Sequence, residues 1–156
     1  MDQSLDFPFP VFTPVCTATT RPTHRSLITT GLELNANATS IATLIGDGVT
    51  GHLFLMLTPL AYFTLNAMNF TPPVNPGPAP IQPLNPGTAA EIAEIFRLHK
   101  QASTIFQLYN RVDNALRNQL IKATPDVYIR HLRDPITGYG SVTALQMLTH
   151  LKTTYS

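Results

Sequence analysis

The apolar positions between residues 88 and 123 follow the repeat of one long amphipathic helix. Thr88 and Glu91 have the spacing of a capping box, which marks its start. A helix of this length would extend about 50 Å if unbroken, so we expect a bend or break near residues 101–104. The apolar line, whose members recur three or four residues apart, consists of Ile95, Leu98, Ala102, Ile105, Tyr109, Val112, Leu116 and Leu120.

Shorter patterns predict further helices. Asparagines and a closing glycine favour a short helix over residues 35–45, although the β-branched residues there leave a strand as the alternative. A Thr-Pro pair at 58–59 begins another helix of about two to three turns. The same signature opens a short helix over residues 124–133. The apolar run at 51–57 fits a buried strand and a buried helical turn equally well. Ser141 is expected to cap a last helix, whose inner face is Val142, Leu145, Leu148, Leu151 and Tyr155.

Prolines interrupt these patterns in two places. Residues 1–34 form a Pro- and Thr-rich arm that we expect to be extended, because proline removes backbone donors. Its apolar side chains Phe7, Phe9 and Phe12 predict that it lies across its own domain or across a neighbouring copy.

The second proline-rich stretch, residues 71–87, predicts a stiff spacer. A ligand for a proline-reading domain is the alternative, since Pro80 and Pro83 form P-x-x-P. The chain is therefore predicted to contain the arm, a helical lobe over 35–70, the spacer, and a second helical lobe over 88–156.

Composition narrows the function further. With 44 % hydrophobic residues the chain supports a real core, and a charged fraction of 12 % with net charge +1 argues against a surface built wholly for nucleic acid. The single cysteine, Cys16, excludes an internal disulfide and favours a reducing compartment, cytoplasm or nucleus. The start of the chain is unlike a secretory signal, and the apolar run at 52–65 is too short to span a bilayer. We therefore expect a soluble protein without a membrane partner.

Candidate chemistry is sparse. No two of the five histidines lie three to five residues apart, and the motifs of nucleotide-binding loops and hydrolase elbows are absent, so we predict no enzyme, metal or cofactor. Opposite the apolar line runs a basic strip, for which we weigh two interpretations, contact with phosphates of a nucleic acid or a plain solvated face. Its members are Arg97, Lys100, Arg111 and Lys122.

A family resemblance rests on the last helix and on the order of segments before it. Thr143-Ala144-x-x-x-Leu148-x-x-Leu151-x-x-x-Tyr155, after Leu132-Arg133-Asp134, resembles a helix of Gag-like proteins from Ty1/copia-type LTR retrotransposons. The helical segments from residue 35, the proline-rich spacer and the long helix follow in the order of the capsid part of such polyproteins. Leu148 stands where tryptophan is common in that family, and the zinc knuckle C-x2-C-x4-H-x4-C is absent from this sequence.

The resemblance implies an all-α, two-lobed capsid fold, here with an extended N-terminal arm. It also implies a structural protein that forms an intracellular particle by homo-oligomerisation of many copies around RNA. No small-molecule substrate is implied. The residues that we expect at contacts between copies are Phe7, Phe9, Phe12, Leu145, Leu148, Leu151 and Tyr155.

Overall fold

The computed structural model describes residues 14–16, 20–43, 50–69, 71–80 and 87–155. Within these ranges the protein is mostly helical and contains no strand, as the predicted all-α class requires. Three single turns of 3₁₀ helix accompany the α-helices, at Leu53–Met56, Asp126–Tyr128 and Arg130–Leu132. The α-helices are α1 (His24–Ser40), α2 (Pro59–Asn66), α3 (Ala89–Ala123) and α4 (Ala144–Tyr155).

The chain divides into two compact units whose boundaries differ from those of the predicted lobes. The first unit combines Met1–Phe70 with Arg111–Ser156, and the second is Thr71–Asn110. Residues far apart in sequence, on α1 and α4, pack against each other in the first unit. Helix α3 contributes residues to both units.

Helix α1 begins eleven residues before the predicted helix at 35, so the expectation of an extended arm is wrong over residues 24–34. Thr23 caps its first turn in a reciprocal capping box with Ser26, directly after Pro22, the last proline of the arm. Burial of one face then stabilises the helix, and the buried residues are Leu27, Thr30, Gly31, Leu34, Asn37 and Ala38. The arm residues 1–13 lie outside the described ranges.

The apolar run after α1 forms a helical turn, which resolves the alternative that the sequence left open. Phe54, Leu55 and Met56 are buried on a 3₁₀ turn. The predicted cap of α2 is confirmed, because the Thr58 side chain accepts a hydrogen bond from the Ala61 N–H at 3.1 Å. Helix α2 ends after two turns with Ala67 in the left-handed region.

Helix α3 is continuous over 35 residues, so the predicted break near 101–104 is wrong. Those four residues include neither proline nor glycine, and nothing local therefore ends the helix. The expected cap is present, with the Glu91 N–H donating to the Thr88 hydroxyl at 3.2 Å. In the first unit α3 buries Val112, Leu116 and Leu120 completely.

The segment between α3 and α4 holds two 3₁₀ turns instead of the predicted helix over 124–133. Helix α4 starts after Thr143, so the predicted cap at Ser141 is wrong. The Thr143 hydroxyl accepts from the Gln146 N–H at 3.1 Å, and the Gln146 side chain accepts from the Thr143 N–H at 3.0 Å. The side chains that α4 buries are Ala144, Met147, Leu148 and Leu151.

Candidate interaction surfaces

The second unit exposes an apolar face on the first part of α3. Ile95 is 44 % exposed, Phe96 41 % and Leu98 50 %. We call these three residues the α3 apolar face. Every described residue of this unit, from 71–80 and 87–110, is exposed or half-buried, so the unit encloses no core among them. Adjacent large apolar side chains in water mark a surface that is suited to a partner.

The described part of the proline-rich stretch has no regular secondary structure, and it forms a hydrogen bond with His99 of α3. His99 Nε2 lies 2.9 Å from the Gly77 carbonyl oxygen. Because a carbonyl only accepts, Nε2 is the protonated nitrogen. The Asn75 side chain also accepts from the Gly77 N–H at 2.9 Å, which forms a local turn. Residues 81–86, with Pro83 of the P-x-x-P motif, lie outside the described ranges.

The basic strip is interrupted at its first member. The Arg97 guanidinium donates to both carboxylate oxygens of Glu94, from Nε at 2.8 Å and from Nη2 at 2.6 Å. Its third nitrogen, Nη1, donates to Gln101 at 3.1 Å. The hydrogen bond from Arg97 also lowers the pKa of Glu94. Glu94, one helical turn earlier on α3, therefore already pairs with the guanidinium of Arg97.

The other three members of the strip are exposed, and they are divided between the two units. Lys100 belongs to the second unit, whereas Arg111 and Lys122 belong to the first. Each unit therefore presents at most two cations of the strip. So few phosphate contacts give only weak binding of nucleic acid.

The predicted contact residues on α4 are mostly used within the chain. Leu148 is 4 % exposed and Leu151 is fully buried, because α4 packs against α1 and the Leu53–Met56 turn. Both side chains therefore pack inside the first unit. Leu145 and Tyr155 are half-buried, and the Tyr155 ring meets Tyr128 edge to face at 5.0 Å. Phe7, Phe9 and Phe12 lie outside the described residues.

An open groove of about 160 Å³ lies between α1 and α4 in the first unit. Exposed Ile28 and Leu32 form its α1 wall, and Lys152 carries its one charge. The groove is shallow and small beside the usual sites for small molecules, which reach about 300 Å³ or more. We assign it no ligand.

A buried polar cluster joins α3 to the start of α4 in the first unit. Asp113 accepts from the Ala144 N–H at 3.3 Å and lies 3.5 Å from the Arg117 guanidinium. Arg117 is only 9 % exposed, donates to the Val142 carbonyl at 2.9 Å, and also bonds Asn114. Burial raises the pKa of Asp113, against the opposing effects of Ala144 and Arg117. The cluster holds α4 in place, and its groups face backbone rather than an open pocket.

The titratable residues that invite a catalytic interpretation do not assemble. In the described part of the chain no three His, Cys, Asp or Glu side chains come together as a metal site. His52 is fully buried, with Nδ1 2.6 Å from the Ile41 carbonyl oxygen. Burial raises the pKa of the Cys16 thiol, which reduces the reactive thiolate at neutral pH.

Sequence patterns located the long helix, its basic side and its apolar side, but they missed two features. The Asp113–Arg117 cluster has only an i, i+4 charge spacing in the sequence, which is usual for solvated helices. The burial of His52 has no local signal.

Among the described helices, none is long and apolar enough to cross a membrane.

Comparison with known proteins adds no relative. No protein-family model matches the chain, and no curated protein or solved structure matches it. The function is therefore argued from the surfaces described above.

Proposed function

We propose that the chain is a structural protein that assembles with copies of itself, like the capsid part of the Gag-like polyproteins it resembles. The observation that carries the proposal is the α3 apolar face, where Ile95, Phe96 and Leu98 remain 41 to 50 % exposed. Fully burying one such side chain is worth about 1.5–3 kcal/mol. Covering the face with a second copy therefore supplies a driving force for association, and repeated contacts multiply it in a shell.

The lack of buried residues in the described second unit supports the same proposal. Most of the stability of a helix in a protein comes from packing of its apolar face against other elements rather than from intrinsic helix propensity. Residues 89–110 of α3 bury no side chain in their own unit. A partner helix would stabilise this stretch. In this proposal the protein acts by packing, and no catalytic step is assigned to it.

The proposal is tested by sedimentation velocity over a range of protein and salt concentrations, with electron microscopy of the same samples. We expect reversible association into particles, sheets or tubes. The double substitution Ile95→Gln/Leu98→Gln should weaken association at least tenfold, as roughly expected for losing one to two buried side chains. Ala93→Gln, a change at an exposed position on the side of α3 that faces away from Ile95 and Leu98, is the matched control.

Two results would count against the proposal. One is a strict monomer at the highest concentration reached. The other is association of the Ile95→Gln/Leu98→Gln chain at the level of the Ala93→Gln chain. Circular dichroism of all three chains checks that the substitutions leave the helical content unchanged.

Packaging of RNA within such a shell is the second part of the proposal. It is supported by Lys100, Arg111 and Lys122, whose side chains are exposed. RNA affinity should fall steeply with salt and fall again when the three exposed cations become glutamine. Equal retention of RNA by the triple variant would assign any binding to other groups.

A further inference from the structure

The loop before α4, residues 134–138, holds one large apolar side chain in water on a fixed backbone. Ile136 is 92 % exposed. The Asp134 N–H donates to the Gly138 carbonyl at 2.7 Å, and the Gly138 N–H donates back at 2.9 Å. The Asp134 carboxylate also accepts from the N–H groups of Ile136 at 2.7 Å and Thr137 at 3.0 Å. Because these hydrogen bonds already order the loop, binding through Ile136 costs little conformational entropy.

The groove between α1 and α4 has room for one side chain of this size. Its volume is about 160 Å³, and an apolar cavity of about 150 Å³ holds a benzene molecule. The isoleucine side chain is smaller than benzene. Ile28 and Leu32 line the groove and are 41 and 63 % exposed. At Gly31 no side chain fills the space in front of Leu148. An apolar side chain that enters the groove therefore removes further apolar surface from water.

The charges beside the loop tip and in the groove are opposite. The Lys152 ammonium lies in the groove, 3.6 Å from the position that a Cβ on Gly31 would take. The Asp134 carboxylate lies beside the loop tip, with Oδ1 2.7 Å from the Ile136 backbone nitrogen. Neither charge forms an ion pair with another described residue. Ile136 in such a groove would therefore bring an unpaired carboxylate to an unpaired ammonium.

Two arginines precede the loop, and their charges act on another group. The Tyr139 hydroxyl donates to Asp126 at 3.0 Å. Burial and this hydrogen bond raise the pKa of Tyr139, while the positive charges of Arg133 and Arg130 oppose the rise. The two arginines are thus close to Tyr139 and Asp126, whereas the loop backbone holds the Asp134 carboxylate at the tip. The charge fixed beside Ile136 is therefore negative.

We propose that Ile136 of one copy inserts into the α1–α4 groove of a second copy. The partner is a second copy because this chain carries both a fixed apolar tip and a groove that matches it in size and charge. Ile136 does not fill the groove of its own chain, since it is 92 % exposed. The proposal rests on the proposed self-association and adds a second contact, made by the first unit and distinct from the α3 apolar face.

A contact of this kind joins two unlike surfaces. When two identical surfaces meet about a two-fold axis, the contact is used up in a pair. An unlike contact leaves one tip and one groove free in each pair, so a third copy can bind in the same way. The Ile136 contact therefore gives the assembly a means of growing beyond a dimer.

Substitutions at exposed positions test the contact with little risk to the fold. Ile136→Ser removes the apolar tip and leaves the backbone hydrogen bonds of the loop in place. Leu32→Ser removes one wall of the groove. Leu60→Ser on α2, at a position 75 % exposed and outside the groove, is the matched control. Sedimentation velocity of the full chain measures association of the three single variants and of the double variant Ile136→Ser/Leu32→Ser, and circular dichroism checks their helical content.

We expect Ile136→Ser and Leu32→Ser each to weaken association at least about fivefold, and Leu60→Ser to change it by less than about twofold. The double variant should associate no more weakly than the single variants, because both substitutions remove the same contact. Losses that add in the double variant would place Ile136 and Leu32 in different contacts and overturn the proposal. A loss for only one of them, or an equal loss for Leu60→Ser, would overturn it too.

The Ile95→Gln/Leu98→Gln chain separates this proposal from the proposed function. If that chain associates weakly while Ile136→Ser and Leu32→Ser associate like the unchanged protein, the Ile136 contact is wrong and the α3 apolar face stands. If Ile136→Ser and Leu32→Ser weaken association but Ile95→Gln/Leu98→Gln does not, the α3 apolar face is wrong and the Ile136 contact stands. An unchanged protein that is monomeric at every concentration would overturn both.

Discussion

Two neighbouring residues hold the C-terminal end of α1. The His52 backbone N–H donates to the Ala38 carbonyl at 2.9 Å, and its imidazole reaches the Ile41 carbonyl. Its other nitrogen, Nε2, is buried and has no hydrogen-bond partner among the described residues. Gly51 takes a positive φ of 54° directly against the Thr39 carbonyl. Neither role is visible in the residue types alone.

Acidification should destabilise the protein through His52. Burial lowers the pKa of His52 from its ordinary 6.5, against the smaller opposing effect of its hydrogen bond to Ile41. As pH falls through about 6.5, His52 takes up a proton in the unfolded chain but not yet in the folded chain. The free energy of unfolding therefore decreases. The decrease stops once pH passes the lowered pKa of the folded state. Urea unfolding between about pH 7.5 and about pH 5 measures it.

The matched variant for this measurement is His52→Asn, whose amide retains a donor near Nδ1 but does not titrate. Its unfolding free energy should show a shallower dependence on pH over the same range. An identical dependence in both proteins would assign the effect to other groups.

Gly51→Ala should cost markedly more stability than Gly138→Ala. Both glycines have positive φ, 54° and 63°, so alanine is strained by roughly 1–2 kcal/mol at either position. A Cβ at Gly51 would also lie 2.2 Å from the Thr39 carbonyl oxygen, whereas one at Gly138 would meet nothing within 4 Å. The urea midpoints of the two variants compare their losses of stability. Equal losses would show that the backbone around Gly51 moves and removes the clash.

At the scale of elements, the start of α4 is fixed from two sides. Thr143 and Gln146 satisfy its first turn locally, while Asp113 on α3 accepts from the Ala144 N–H. Sequence reasoning placed the cap two residues early, at Ser141, because serine and threonine are both good caps. Packing of Ala144 and Met147 in the core selects Thr143.

Thr143→Ala should destabilise the protein by about 1 kcal/mol, the usual cost of losing an N-cap side chain. Ser141→Ala removes a hydroxyl that is exposed and caps nothing, so it should have almost no effect. Thermal unfolding followed by circular dichroism compares the two. A larger loss of stability for Ser141→Ala than for Thr143→Ala would indicate that Ser141 caps α4, as the sequence predicted.

At the scale of the whole molecule, the buried side chains belong to one unit. All buried apolar residues of the described ranges lie in the first unit, including the end of α3 from Val112 to Ala123. Helix α3 therefore serves as core at one end and as surface at the other. Its two ends should respond differently to the same substitution.

Leu116→Ala should lower the free energy of unfolding by about 2–5 kcal/mol, because it leaves a cavity at a fully buried position. Ile95→Ala on the same helix, at a position 44 % exposed, should change it by less than about 1 kcal/mol when measured at low protein concentration. Chemical denaturation of both variants measures the two changes in the free energy of unfolding. Similar losses would indicate that both ends of α3 share one folded core.

The sequence by itself determined the long amphipathic helix, its Thr88 cap and the Thr58 cap. These depend on neighbouring residues, through capping hydrogen bonds and the helical repeat, so a local pattern suffices to predict them. The residues of the candidate interaction surfaces were also predicted from local patterns. The apolar lines of α3 and α4 were found, but the sequence does not distinguish an apolar side chain that is covered from one that is not.

Only the tertiary structure decided which parts of those lines are buried. Leu148 and Leu151 are enclosed because α1 packs against α4, and Ile95 and Leu98 are left in water. The burial that accompanies the early start of α1 was likewise decided by the tertiary structure. Burial is set by residues distant along the chain, and no local pattern carries that information.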